Sequence, residues 1–214
     1  MVYLAIFVGL IAAGLPTPAF ELRRAHEHPT LTPPVVVKPN ADGSSIDLRI
    51  CRDQATLDAA WAELSGRNPV LLVEEFIKGR EVTVGVLGQR GQEVALPPIH
   101  IVPATEFYDY EAKYTRDDTR YLFDLDAEPA LLDQVTAAAL AAHRTLGCRH
   151  LSRVDFLVDP AGRPFILELN TLPGFTTHSL LPMAAAKAGV PMPQLVTTLV
   201  TWAAADHRLA EQAA

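Results

Sequence analysis

Arg153-Val154-Asp155 and Glu168-Leu169-Asn170 flank the segment Asp159-Pro160-Ala161-Gly162. That segment reads as a tight turn joining two strands, Leu151 to Val158 and Pro164 to Leu169. Side chains two apart in a strand share a face, so Arg153 goes with Asp155 and Glu168 with Asn170. Two carboxylates and an amide oxygen brought side by side repel one another unless a cation joins them, and an oxygen-only donor set suits Mg²⁺ or Mn²⁺. An exposed Arg-Asp-Glu salt-bridge cluster would use the same residues, and spacing alone leaves both readings open.

Asn170 leads into Thr171-Leu172-Pro173-Gly174-Phe175-Thr176-Thr177-His178-Ser179, too polar and turn-rich for a core. Amides at Gly174 and around Ser179 suit an oxyanion or carboxylate, while Ser179 serves equally well as the N-cap of a helix starting near Leu180. His178 has no partner in sequence and reads as a solvated loop histidine. Lys38 ends the apolar strand Val35-Val36-Val37 before the small-residue loop Asn40 to Ser45. It is either a point charge for phosphate or a lysine whose stem covers the strand end. The loop lacks the Walker A pattern, which excludes a P-loop NTPase. Glu74-Glu75-Phe76-Ile77 and Glu81 can line a nucleotide pocket, with apolar walls for a base and carboxylates for hydroxyl or amino groups.

The elements that must position these residues are short and punctuated by 17 prolines and 12 glycines among 214 residues. Asp53 caps an expected helix through about Leu64. Val70 to Glu75, Glu81 to Leu87 and Val94 to Ile101 read as strands, Ile46 to Ile50 as a returning strand behind Lys38, and Glu21 to His28 as a polar stretch. Thr105 to Arg120 reads as a long functional loop. Pro129 to Leu146, Leu180 to Ala188 and Gln194 to about Leu209 read as helices. Residues 1 to 16 are read as a buried helix ending at Ala13-Gly14, too short to span a membrane and without the basic start of a signal peptide. A net charge of −7 with no basic run excludes nucleic acid as the expected partner. Two cysteines outside any CxxC spacing imply neither a zinc site nor a disulfide framework, so a reducing cytoplasm is the expected compartment.

In this order the segments closely resemble the D-alanine:D-alanine ligases of the ATP-grasp superfamily. The resemblance is carried by AGLPTP at Ala13 to Pro18, VVVKPNADGSS at Val35 to Ser45, LVEEFIKGREVTVGVLG at Leu72 to Gly88, FYDYEAKY at Phe107 to Tyr114, LGCRHLSRVDF at Leu146 to Phe156 and LELNTLPGFTTHSLLPMAA at Leu167 to Ala185. It implies an α/β (α+β) ATP-grasp fold, with residues 1–102 as an incomplete central subdomain and 103–214 as the C-terminal subdomain, gripping ATP between them. By the resemblance, Lys38 holds the nucleotide phosphates, Glu74, Phe76, Ile77 and Glu81 line the adenine and ribose pocket, and Lys113 meets the γ-phosphate. Ser44 and Tyr114 close the loops over the site, and Asp155, Glu168 and Asn170 bind two Mg²⁺ (or Mn²⁺) ions. Arg153 and the Gly174 amide stabilise the tetrahedral intermediate, and Ser179 with the Leu180 amide grips the second D-alanine. Family members carry an N-terminal domain ahead of the AGLP helix. The expected form is therefore a truncated ligase, a homodimer or one complemented by an N-terminal-domain chain, with an ATP- and Mg²⁺-binding remnant as the alternative.

Overall fold

The computed structural model describes residues 2–40, 47–104 and 118–212. The smaller of its two sheets has the order β1-β4-β2-β3, from Phe20–Arg24 (β1), Val35–Pro39 (β2), Arg49–Cys51 (β3) and Val70–Glu75 (β4). Alternation in β2 sends Val35 and Val37 to one face, where they meet Leu57, Ala60, Trp61 and Leu64 of helix α2, Gln54–Ser65. Those four positions follow the i, i+3, i+4, i+7 stripe of an amphipathic helix. As expected, Asp53 starts α2: its carboxylate accepts from the Thr56 amide at 2.8 Å, and its own amide donates to the Thr56 hydroxyl at 3.2 Å.

The larger sheet has the order β10-β9-β5-β7-β8, all antiparallel, with β6 beside β5. Its strands are Arg80–Gly88 (β5), Val94–Ala95 (β6), Ile99–Val102 (β7), Arg120–Leu122 (β8), His150–Val158 (β9) and Pro164–Asn170 (β10). On one face Val82, Val84, Val86, Val154, Phe156 and Ile166 pack with Leu131, Val135, Ala139 and Ala142 of α3, Pro129–Thr145. Phe7 and Leu10 of α1, Val2–Ala12, complete this core, and Phe7 stacks on Phe20 at 4.7 Å between ring centroids. Helices α4, Leu180–Lys187, and α5, Met192–Gln212, cover part of the opposite face through Leu181, Ala185 and Leu195 against Leu87, Ile99 and Ile101.

Several expectations change. Glu21 to Arg24, the start of the stretch expected to be merely polar, lie in the strand Phe20–Arg24, because an edge strand needs only one protein neighbour and tolerates charged residues. Val94 to Ile101 splits into two strands at Pro97-Pro98, since proline donates no ladder hydrogen bond. The returning strand is shorter and later than expected, Arg49–Cys51, and the expected long loop gives way at Arg120 to β8. The tip at 41–46 and residues 105–117 lie outside the described residues. Because β5 pairs with β9 along its whole length, the change of sheet falls between Glu75 and Arg80. Gly79 sits at that change, where a Cβ would collide with the Val158 carbonyl. Among the described residues, no helix is long and apolar enough to cross a membrane.

Glu21 on β1 fastens the connection that follows it, accepting from Arg23, from the Thr30 amide at 2.6 Å and from the Leu31 amide at 3.0 Å. Burial pushes this carboxyl upward, but the donors outweigh it and hold it at about 2. A depressed carboxylate adds stability above its unfolded value and loses it as pH falls through the folded one. Denaturant titrations from pH 7 to pH 2 should therefore show about 2 to 3 kcal/mol lost between roughly pH 4.5 and 2 through this group, and Glu21→Gln should flatten that slope.

Candidate functional site

Along β9, Ser152, Val154, Phe156 and Val158 are buried, which leaves Arg153, Asp155 and Leu157 on the other face. Thr83 of β5 lies directly opposite Asp155. The partner on the far side is set by an irregularity. Phe156 faces Ile166, but the next pair is Asp155 with Glu168, so Leu167 is an extra residue in β10. Without this bulge Leu167 would face Asp155, and Glu168 would point with Val154 toward the core. With it, Glu168 and Asn170 join Arg153 and Asp155 on one face, as the turn had suggested.

The Arg153 guanidinium grips Asp155 with two nitrogens, Nε at 2.9 Å and Nη2 at 2.7 Å, and stands 3.9 Å from Glu168. The Asn170 amide reaches Asp155 at 3.3 Å and Glu168 at 3.2 Å. Thr83 donates its hydroxyl to Asp155 Oδ1 at 2.6 Å. Burial pushes the Asp155 carboxyl up, but the Arg153 charge and the hydrogen bonds from Arg153 and Thr83 hold it below its ordinary value. Asp155 is thus ionised at neutral pH. Two carboxylates and an amide oxygen, after rotation of the Asn170 amide, fit a hard divalent cation. Among the described residues no three acidic, histidine or cysteine side chains come together, so a metal here depends on the asparagine as its third protein ligand.

Lys38 and Glu74 form a second cluster on the smaller sheet. They sit diagonally across β2 and β4, and Lys38 Nζ lies 2.5 Å from Glu74 Oε2. Their side chains are 14% and 5% exposed. Among the described residues, Glu74 Oε1 and, at the end of β2, Asn40 Oδ1 are buried and find no hydrogen-bond donor. Phe76 carries the Arg52 guanidinium 5.6 Å from its ring centroid, and Ile77 is half-buried beyond it. Glu81, on the same β5 face as Thr83, borders a depression of about 200 Å³ shared with Gly79, Arg80, Ile101 and Pro103.

The third cluster is the segment before α4. Ser179 occupies the N-cap position, but its hydroxyl does not cap the helix; it takes the Thr176 amide at 3.0 Å. Gly174 packs so close that a Cβ there would stand 2.9 Å from Ser179 Oγ. Leu180 is buried in the core beneath, whereas His178 is exposed, in keeping with its reading as a solvated histidine. Ser44, Lys113 and Tyr114 lie outside the described residues. Thr83 was missed by sequence reading, although the alternation Glu81, Thr83, Gly85 marks it as sharing the Glu81 face.

Residues 7–201 match the family described as D-ala D-ala ligase C-terminus. A D-alanine–D-alanine ligase of Dechloromonas aromatica is 43% identical over 91% of this chain and 65% of its own length. D-alanine–D-alanine ligase B of Chromobacterium violaceum is 45% identical over 83% of the chain and 59% of its own. The chain thus spans about three fifths of these relatives. Among solved structures, the Bacillus anthracis D-alanine–D-alanine ligase complexed with ATP superposes with a TM-score of 0.77 at 29% identity, covering 98% of this chain and 66% of that one. The Coxiella burnetii enzyme gives 0.79 at 24% identity, covering 97% and 58%, a likeness of fold.

The Lys38 and Glu74 pair yields a stability test. Removing one partner leaves a buried charge unmatched, so Lys38→Met should cost about 3 kcal/mol by urea denaturation. Adding Glu74→Leu should recover most of that loss, and strictly additive losses would show that the pair does not act as one.

Proposed function

The chain belongs to the D-ala D-ala ligase C-terminus family, and from that premise we propose that it acts as an ATP-dependent D-alanine:D-alanine ligase. The fold is that of the ATP-grasp ligases it superposes on. The observation that carries the reading is the convergence of Asp155, Glu168, Asn170 and Arg153 on one face of the larger sheet.

In the proposed reaction the carboxylate of one D-alanine takes the γ-phosphoryl group of ATP, giving an acyl phosphate and ADP. The amine of a second D-alanine attacks the acyl carbon, phosphate leaves, and the dipeptide forms for peptidoglycan. Lys38 neutralises nucleotide phosphates after exchanging Glu74 for them, and Lys113 meets the γ-phosphate. Glu74 Oε1, buried and without a donor among the described residues, accepts from the adenine amino group, Phe76 and Ile77 wall the base, and Glu81 takes the ribose hydroxyls. Ser44 and Tyr114 close the loops over the nucleotide. Asp155, Glu168 and Asn170 would hold two Mg²⁺ or Mn²⁺ ions, whose positive charge would offset that of the phosphate oxygens. Arg153 and the Gly174 amide face the oxyanion of the tetrahedral intermediate, and Ser179 with the Leu180 amide holds the second carboxylate. Such chemistry rests on positioning and on fixed positive charge, and asks for little acid-base machinery.

Phosphate release from ATP and Mg²⁺, with and without D-alanine, tests the proposal. We expect D-alanine-dependent release, reduced at least about 100-fold in Asp155→Ala, with thermal stabilisation by ATP. Stabilisation without turnover would support the alternative, an ATP- and Mg²⁺-binding chain that takes the rest of its site from another. The absence of both signals would overturn both readings.

A further inference from the structure

All the acceptor positions of the Asp155 carboxylate are engaged. Oδ1 takes the Thr83 hydroxyl at 2.6 Å and Arg153 Nε at 2.9 Å; Oδ2 takes Arg153 Nη2 at 2.7 Å and the Asn170 amide at 3.3 Å. A cation binding Asp155 must therefore displace a donor. These donors are not equivalent. Arg153 is a long side chain, 18% exposed, and the Asn170 amide can present its oxygen instead after rotation. Thr83 is 2% exposed, stands on the strand paired with β9 and lies directly opposite Asp155. Its χ1 is stiffened by branching at Cβ, and its hydroxyl lies 3.4 Å from the Val154 carbonyl as a second acceptor.

We infer that Thr83 is a positioning residue for the cation site: its hydroxyl holds Asp155 Oδ1 in place while Arg153 and Asn170 yield to the metal. This rests on the reading of Asp155 as a cation ligand. Fixing one oxygen through a buried donor leaves the other, held only by Arg153 and Asn170, to take the cation, and keeps the carboxylate from turning to follow Arg153. Partners of this kind behind a metal ligand commonly matter about 10- to 100-fold in metal affinity. Replacing threonine by valine keeps the shape and strand preference and removes only the hydroxyl, whereas serine keeps the hydroxyl.

The test is Mn²⁺ binding to the whole chain with saturating ADP, followed by the paramagnetic resonance of free Mn²⁺, alongside ADP binding in EDTA. Thr83→Val should weaken Mn²⁺ binding on the order of tenfold, leave ADP binding in EDTA unchanged, and be rescued by Thr83→Ser. Equal Mn²⁺ affinity in wild type and Thr83→Val, with Asp155→Asn still defective, overturns the role of Thr83 alone. Mn²⁺ affinity untouched by Asp155→Asn overturns the cation site itself and the role of Thr83 with it. Loss of ADP binding in EDTA by Thr83→Val, or failure of serine to rescue, assigns Thr83 to the fold and overturns the inference.

Discussion

The pairing of β5 with β9, unbroken from Arg80 opposite Val158 to Gly88 opposite His150, is the constraint on which the rest depends. Because strand side chains alternate, this one register assigns Val82, Val84, Val154 and Phe156 to the core and Glu81, Thr83, Arg153 and Asp155 to the opposite face. A slip of one residue would bury the charges and expose the valines, so the apolar core specifies the polar site. The bulge at Leu167 extends that assignment to β10, the one place where the ladder departs from regularity.

Electrostatic compensation follows from the same geometry. Net charge is −7, yet the two clusters with the greatest chemical potential each carry their own cation: Lys38 against Glu74, and Arg153 against Asp155. Mostly buried carboxylates need such partners, because desolvation without one is costly. These arrangements hold the charged groups at fixed positions, and under the proposed function each pair opens by exchange. Lys38 would exchange Glu74 for a nucleotide phosphate, and Asp155 would exchange Arg153 for the cation it holds. Arg153 would then turn its guanidinium toward negative charge that develops next to the same site.

The readable parts of the sequence were those in which local chemistry and tertiary structure agree. The Asp53 cap, the turn at Asp159 to Gly162 and the apolar stripe of α2 each specify their own geometry. The turn also pointed to the meeting of Asp155 with Glu168. It did so without the bulge that makes the meeting happen, since an extra residue in a ladder has no signature in Ile166-Leu167-Glu168. Phe20–Arg24 was missed because its partner, β4, lies about 50 residues away in the chain, and only that pairing makes it a strand. The change of sheet has the same cause: Arg80–Gly88 takes its place in the larger sheet from β9. For Lys38, Glu74 and Ser179 the residues alone left alternatives open and family likeness pointed to one of them; the geometry adds the partners each side chain has at rest.

Ser179 illustrates how much such a partner matters. A serine at the N-cap of a helix ordinarily turns its hydroxyl onto the helix amides. Here it turns away to the Thr176 amide, and Gly174 packs against it where any side chain would intrude. The first turn of α4 is thereby left without a side-chain cap, above Leu180 and Leu181, which are fixed in the core. A carboxylate at that turn would satisfy the amides that the serine does not. The absence of a side chain at Gly174 and the direction of the Ser179 hydroxyl are two aspects of one arrangement, in which a rigid helix start is kept open by the loop that precedes it.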